Sequence, residues 1–146
     1  MRRNRDDTTI VFACVHNAGR SQMAAALFNR HADPAKARAL SAGTRPAARV
    51  HPEVAETMRE IGIEIGDATP RLLTSELAAD AGWLVTMGCG DECPVVPGAV
   101  RDDWPLEDPK GLPPGRVRAI RDDIERRVRA LIEARGWGRR ATGAAR

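Results

Sequence analysis

The run Thr8-Thr9-Ile10-Val11-Phe12-Ala13-Cys14-Val15-His16-Asn17-Ala18-Gly19-Arg20-Ser21-Gln22-Met23-Ala24-Ala25-Ala26-Leu27-Phe28 decides the fold. Its first seven residues are β-branched or apolar and predict a short buried strand. From Ser21 the alanines and the Met23/Leu27 spacing predict a helix. Ala18-Gly19 supplies the tight loop between them. Strand, loop and helix in that order open a βαβ unit, and the chain downstream of Phe28 repeats the alternation.

Ala37 to Ser41 predicts a second strand, weaker in composition, before the turn-prone Ala42-Gly43-Thr44. Pro52 stands where a helix accepts proline, in its first turn, with Val54, Met58 and Ile61 as the apolar stripe and Gly62 as the stop. A short helical piece after Pro70 carries Leu72, Leu73 and Leu77, and Trp83 to Met87 is the next buried strand. Glycine and proline then punctuate 88–105 too often for a long element, apart from an extended piece near Val100, which marks a functional loop. A second such cluster runs from Pro109 to Gly115. The last helix is the clearest, with Val117, Ile120, Ile124, Val128 and Leu131 on one face; past Gly136 fraying is expected. The sum is an α/β domain: a small doubly wound, four-stranded parallel sheet flanked by helices, with ligands bound outside the carboxyl ends of the strands. The expected layout is a flexible tail over 1–7, one domain over 8–135 and a flexible tail over 136–146.

Composition narrows the function. The 146 residues are 42% hydrophobic and 29% charged, which fits one globular domain and excludes disordered and disulfide-scaffold classes. Only 3% are aromatic, with no tyrosine, so a stacking platform for single-stranded nucleic acid has little to build on. The net charge of +3 is the small excess of 23 basic over 20 acidic residues, interleaved along most of the chain, and its clusters at Arg2, Arg3, Arg5, Arg139, Arg140 and Arg146 read as solvated tails. No nucleic-acid partner is expected. No run approaches the ~18–20 apolar residues of a membrane span, and Asp6 and Asp7 interrupt what could pass for a signal sequence. The three cysteines, Cys14, Cys89 and Cys93, therefore read as thiols in a reducing cytoplasm.

The octet Cys14-Val15-His16-Asn17-Ala18-Gly19-Arg20-Ser21 carries the chemistry. A cysteine, five residues and an arginine between a strand and a helix make a ring of backbone N–H groups, closed by a helix N-terminus and a guanidinium, around a tetrahedral oxyanion. The same positive field favours a thiolate over a thiol, making Cys14 a nucleophile. Arg20 can hold two oxyanion oxygens bidentately. Ser21 can donate to the Cys14 sulfur, Asn17 tolerates a left-handed backbone, and Gly19 lets the backbone come close. The substrate cradle is thus Val15 to Ser21. His16 belongs to it by position; as a lone loop histidine it reads as solvent-facing, with no catalytic role assigned. A leaving-group oxygen needs a proton, and Asp108, beside Pro109 on a loop, is the best donor; by spacing alone Asp102, Asp103 and Glu107 compete with it. Cys89 and Cys93 are either redox thiols, small buried hydrophobes or half of a zinc site, and the last would need a second close Cys/His pair that the sequence does not contain. No metal is expected.

These residues resemble a family. The octet with Ser21-Gln22-Met23-Ala24, Ser41-Ala42-Gly43, the stretch Thr86-Met87-Gly88-Cys89-Gly90-Asp91-Glu92-Cys93-Pro94 and Trp104 to Pro109 are similar to the arsenate reductases built on the low-molecular-weight tyrosine phosphatase fold, over about Ile10 to Ile132. The resemblance implies a four-stranded parallel sheet, Cys14 as nucleophile, Arg20 as anion clamp and Asp108 as general acid because it precedes the proline. It also implies roles for the other thiols. Cys89 would attack the sulfur of a Cys14 thiol–arsenic(V) adduct and release arsenite; Cys93 would attack the resulting disulfide and move it outward to a Cys89–Cys93 pair, which an external thiol system reduces. Each transfer needs Cα atoms about 4.4–6.8 Å apart.

Two departures stand out. Only three residues separate Cys89 from Cys93, fewer than in the thioredoxin-coupled members, and Ala25 stands where some relatives carry a glutamate that helps bind potassium, so that cation is not expected. The expectation is a cytoplasmic, monomeric arsenate reductase with no bound cofactor and thioredoxin as electron donor. A mycothiol or mycoredoxin-type small-thiol system, using mainly Cys14, is the first alternative. A phosphotyrosine phosphatase is the second; it needs neither Cys89 nor Cys93, and would gain from aromatic walls where Lys110 follows Asp108-Pro109. A non-catalytic oxyanion sensor is the third, against which the set Cys14, Arg20 and Asp108 argues.

Overall fold

A computed structural model of the chain describes residues 8–88 and 100–139. Its elements are β1 (Thr8–Cys14), α1 (Arg20–His31), β2 (Ala37–Gly43), α2 (Pro52–Arg59), α3 (Ser75–Ala79), β3 (Trp83–Thr86), β4 (Val100–Asp103) and α4 (Pro114–Arg135). The strands form one parallel sheet in the order β2-β1-β3-β4. The chain leaves β1 toward one edge through α1 and β2, then returns to the other side of β1 at β3. The carboxyl end of β1 is therefore the point where strand order reverses, where open α/β sheets bind their ligands.

Period-two alternation sorts β1 between two cores. Ile10, Phe12 and Cys14 face the larger one, with Met23, Leu27 and Phe28 of α1, Val54 and Met58 of α2, and Val117, Ile124 and Val128 of α4. Val11 and Ala13 face a smaller one, with Leu84 and Ala81, over which Leu40, Leu73 and Leu77 close. The aromatic residues do not line a cleft: Trp104, Phe12, Phe28, Trp137 and Trp83 form one chain of ring contacts, with centroids 5.5–6.0 Å apart along it. All five aromatics of the sequence are in that chain, so none remains to grip a phenyl ring at the site.

Three expectations are corrected. Leu72 and Leu73 precede the short helix instead of lying on it: Thr74 caps α3, its Oγ1 accepting from the Leu77 N–H at 3.0 Å, while Leu72 bridges Gly43 in extended form. On α4 the stripe ends on Ile132, four residues after Val128, and Leu131 is only half-buried. The fraying expected past Gly136 does not begin there. Gly136 (φ +71°) closes α4 in the left-handed region, and the Trp137 N–H turns back to the Ile132 carbonyl at 3.0 Å, the pattern of a Schellman end with its apolar residue packed inward. Trp137 then holds the Asp33 N–H at 2.8 Å, and Gly138 bridges Ala32. The segments 1–7, 89–99 and 140–146 lie outside the described residues, and with them Cys89, Cys93 and most of the expected tails. Among the described residues no helix is long and apolar enough to cross a membrane.

Candidate active site

The site is built from carbonyls turned away from it. The Cys14, Val15, His16 and Ala18 carbonyls accept from the N–H groups of Thr44, Arg45, Ala47 and His51 at 2.8–3.1 Å. The Asn17 carbonyl accepts from Gln22 Nε2 at 3.2 Å, and the Gly19 carbonyl from the Met23 N–H at 3.0 Å. Every carbonyl from Cys14 to Gly19 is thus committed to the segment after β2 or to α1. Among the described residues, the N–H groups of the same loop are the polar groups left for a ligand, and those of Arg20 and Ser21 open a helix whose first turn carries no acidic side chain. These carbonyl commitments are the ones an anion cradle requires.

Asn17 is its hub. It is fully buried with φ 51°, the left-handed region that asparagine enters more readily than most residues. Its Nδ2 donates to Ser21 Oγ at 2.7 Å, and its Oδ1 accepts from the Arg71 N–H at 2.9 Å and from Gln22 Nε2 at 3.3 Å. With an Asn17 proton pointed at its oxygen, the Ser21 hydroxyl has its own proton for the Cys14 Sγ, 2.9 Å away. Cys14 itself is 2% exposed, at the carboxyl end of the central strand.

Arg20 and Asp108 close the opening. The guanidinium, nearly buried, donates from Nη1 to the Leu106 carbonyl at 3.0 Å and stands 3.9 Å, Nη2 to Oδ2, from the half-exposed Asp108 carboxylate. Gly88 (φ +101°) lies directly beneath the guanidinium: a Cβ there would fall on Nη1. Pro109 covers Gly19 closely too, since a Cβ on Gly19 would meet Pro109 Cγ at 2.9 Å. Asp108 Oδ1 accepts from the Lys110 N–H at 3.0 Å. The other carboxylates considered for proton donation are engaged elsewhere. Asp102 holds the Trp104 indole N–H at 3.0 Å, Asp103 contacts Thr86 Oγ1, and Glu107 pairs with Arg116 at 2.9 Å.

Two residues of this site were not singled out in the sequence. His51 lies just before α2, its ring edge-on to that of His16 with centroids 6.5 Å apart. Burial lowers its pKa below the usual histidine value, against the pull of Glu53 and Asp108. Glu53, in the first turn of α2, accepts the Gly111 N–H at 2.6 Å, which holds its carboxyl below the usual carboxylate range. The available signal was Pro52: it marks a helix start, and a helix start brings its first-turn side chains to a sheet end.

This geometry is that of a phosphatase-type anion loop, and the comparisons agree. The chain belongs to the low molecular weight phosphotyrosine protein phosphatase family, whose model matches residues 9–136. Within it the chain stands with the arsenate reductases. A Halobacterium salinarum protein that carries the arsenate reductase name provisionally is 41% identical, over 88% of this chain and 94% of its own length. The thioredoxin-dependent arsenate reductase of Corynebacterium glutamicum is similar in structure, with a TM-score of 0.75 and 39% identity over 87% of this chain; this chain spans 61% of that protein's length. The arsenate reductase of Archaeoglobus fulgidus gives 0.72 and 33%, covering 85% of this chain and 98% of that one.

Proposed function

We propose that this protein reduces arsenate to arsenite. The observation that carries the reading is a nucleophilic thiol, Cys14, set in a loop whose carbonyls all face away, with Arg20 and Asp108 at its opening. The Cys14 thiolate attacks arsenic, an As–O bond breaks, and Asp108 protonates the departing oxygen, leaving a covalent S–As(V) adduct held by the loop N–H groups and Arg20. A second thiolate then attacks the Cys14 sulfur. The S–As bond breaks, its electron pair stays on arsenic, and arsenite leaves as a disulfide forms.

We assign that second thiolate to Cys89. Register supports the assignment: Ala13 pairs with Thr86, and the Met87 N–H reaches the Ala13 carbonyl at 2.8 Å, so Met87 stands beside Cys14. Gly88 touches Arg20, and Cys89 follows it directly in the sequence. Cys93 then takes over the bond to Cys89, freeing Cys14, and an external dithiol returns two electrons. Thioredoxin is the donor proposed, on the strength of the thioredoxin-dependent neighbour; a small thiol such as mycothiol is the alternative donor. A monomer in the cytoplasm, with no bound cofactor, completes the proposal.

The test is a single turnover. Fully reduced protein is mixed with arsenate, thiols are counted and disulfides mapped by peptide analysis. Two thiols lost per arsenite released, ending in a Cys89–Cys93 link, is the expected result. Arsenite that appears only after a small thiol is added, with no internal disulfide, would replace the relay by a transferase using Cys14 alone. The family model favours a second reading, hydrolysis of phosphotyrosine, with the same Cys14, Arg20 and Asp108. Hydrolysis of an aryl phosphate by the same preparation measures it directly.

A further inference from the structure

The loop that carries Asp108 is fastened on both sides of that residue, by two groups with different duties. Before Asp108, the Leu106 carbonyl is held by Arg20 Nη1 at 3.0 Å. After it, the Gly111 N–H is held by Glu53 Oε2 at 2.6 Å. Within the loop the Lys110 N–H turns onto Asp108 Oδ1, and the Leu112 N–H returns to the Pro109 carbonyl at 3.1 Å. The span from Asp108 to Leu112 is therefore one compact turn, and Gly111 (φ +75°) is the point at which the rest of the protein grips it.

We propose that Glu53 is a positioning residue for Asp108, fixing the proton donor over the anion loop through Gly111. Arg20 cannot do this alone, because the same guanidinium has to clamp the substrate. As it turns donors toward an oxyanion, its hold on Leu106 competes with its hold on substrate. Glu53 has no such conflict. It sits in the first turn of α2, and α2 is tied to the anion loop by the His51 N–H on the Ala18 carbonyl at 2.9 Å. Asp108 and the cradle are thus referred to one rigid element, whatever Arg20 is doing. A carboxylate suits the place, since a charge-assisted bond to N–H is shorter and stronger than a neutral one.

The inference rests on the reading of Asp108 as proton donor, and the experiment separates the two. The full chain and its Glu53→Ala, Glu53→Gln, Asp108→Asn and Glu53→Ala/Asp108→Asn variants are followed by the rate of thiol loss over a range of arsenate concentrations. Glu53→Ala is expected to lower the limiting rate about tenfold while the half-saturating arsenate concentration stays within about twofold. Glu53→Gln keeps an acceptor oxygen and should recover most of the rate. In the Asp108→Asn background, removing Glu53 should change the rate less than about twofold, because the two act as a unit. An equal loss in both backgrounds, or a loss expressed only in half-saturation, overturns the proposal. Asp108→Asn at the wild-type rate overturns instead the reading on which it rests. Should Glu53→Ala fail to fold, amide exchange at Gly111 decides in Glu53→Ser, whose hydroxyl is too short to reach that N–H: about tenfold faster than in wild type supports the latch, and equal rates refute it.

Discussion

Gly43→Ala is the substitution whose outcome the structure dictates most directly. Gly43 ends β2 opposite Cys14, its N–H on the Arg71 carbonyl at 2.9 Å and its carbonyl accepting from Leu73 N–H at 2.8 Å. A Cβ there would lie 2.6 Å from the Val15 carbonyl oxygen and 2.9 Å from the Asn17 nitrogen, where ordinary contact begins at 3.4 Å. Both obstacles are backbone of the anion loop, and neither is free to step aside. Val15 O is held by the Arg45 N–H at 2.8 Å, and Asn17 is fixed through its own side chain to Arg71. Relief therefore requires the loop and the β2 end to part by about 0.8 Å, the difference between 2.6 and 3.4 Å. A misplacement near 1 Å costs on the order of 10²-fold in rate, and forced overpacking costs about 1–3 kcal/mol of stability. The assay is arsenate-driven thiol loss together with the melting temperature, expected to fall by several degrees. Gly115→Ala is the control: it sits in the first turn of α4 with nothing within 4 Å, and should be neutral or stabilising by up to about 1 kcal/mol. A Gly43→Ala protein with wild-type rate and melting temperature would refute the claim that this contact sets the loop.

Other perturbations probe the same geometry. Gly88→Ala combines a positive φ with a methyl group on Arg20 Nη1, and should weaken phosphate competition against arsenate by at least about tenfold, as read from the inhibition constant. Asn17→Ala strands the Arg71 N–H and the buried Ser21 hydroxyl at a left-handed backbone position, and chemical denaturation should show a loss of about 2–4 kcal/mol; Asn17→Gly, which relieves only the backbone, should remain well below wild type. Acid should destabilise the fold in two windows. His51 has a lowered pKa, so below the ordinary value of 6.5 the unfolded chain takes up a proton that the folded chain refuses, and stability declines as pH falls until the folded pKa is reached. Glu53 is also lowered, so its contribution is full above the ordinary value of 4.5 and is lost as pH falls through its folded pKa. His51→Gln should flatten the melting-temperature profile in the upper window only.

The anion loop was legible because its chemistry is local: strand, cysteine, five residues and arginine are adjacent in sequence, and burial of β1 follows from Ile10 to Ala13 alone. β2 was legible in part. Three of its seven residues are alanines, and none is β-branched or aromatic, so it carries little strand signal; it runs to Gly43 because pairing with β1 continues to Cys14. Glu53 and His51 were not legible, because they meet Asp108 across more than fifty residues, through a crossover that no local pattern encodes. Nor was Trp137. Gly136 does end the helix, but whether the chain then frays depends on whether the Phe28 and Trp83 rings are waiting for it, which is a tertiary fact.

The cradle has a consequence for specificity. Its donors are backbone N–H groups and one guanidinium, which sense charge and tetrahedral shape, and arsenate and phosphate present nearly the same of both. Binding at Cys14 therefore cannot be what separates them. The separation arises at the next step, because an S–As(V) bond can be broken by a second thiolate with two electrons moving to arsenic, whereas phosphorus at the same position offers no accessible lower state and leaves only by hydrolysis. On the proposed reading, the residues that bind the anion make this a member of a phosphatase family, and the thiols after Gly88 make it a reductase. Loss of Cys89 should accordingly leave phosphate inhibition and adduct formation in place while abolishing arsenite release, a split that mutation of Arg20, which serves both steps, cannot produce.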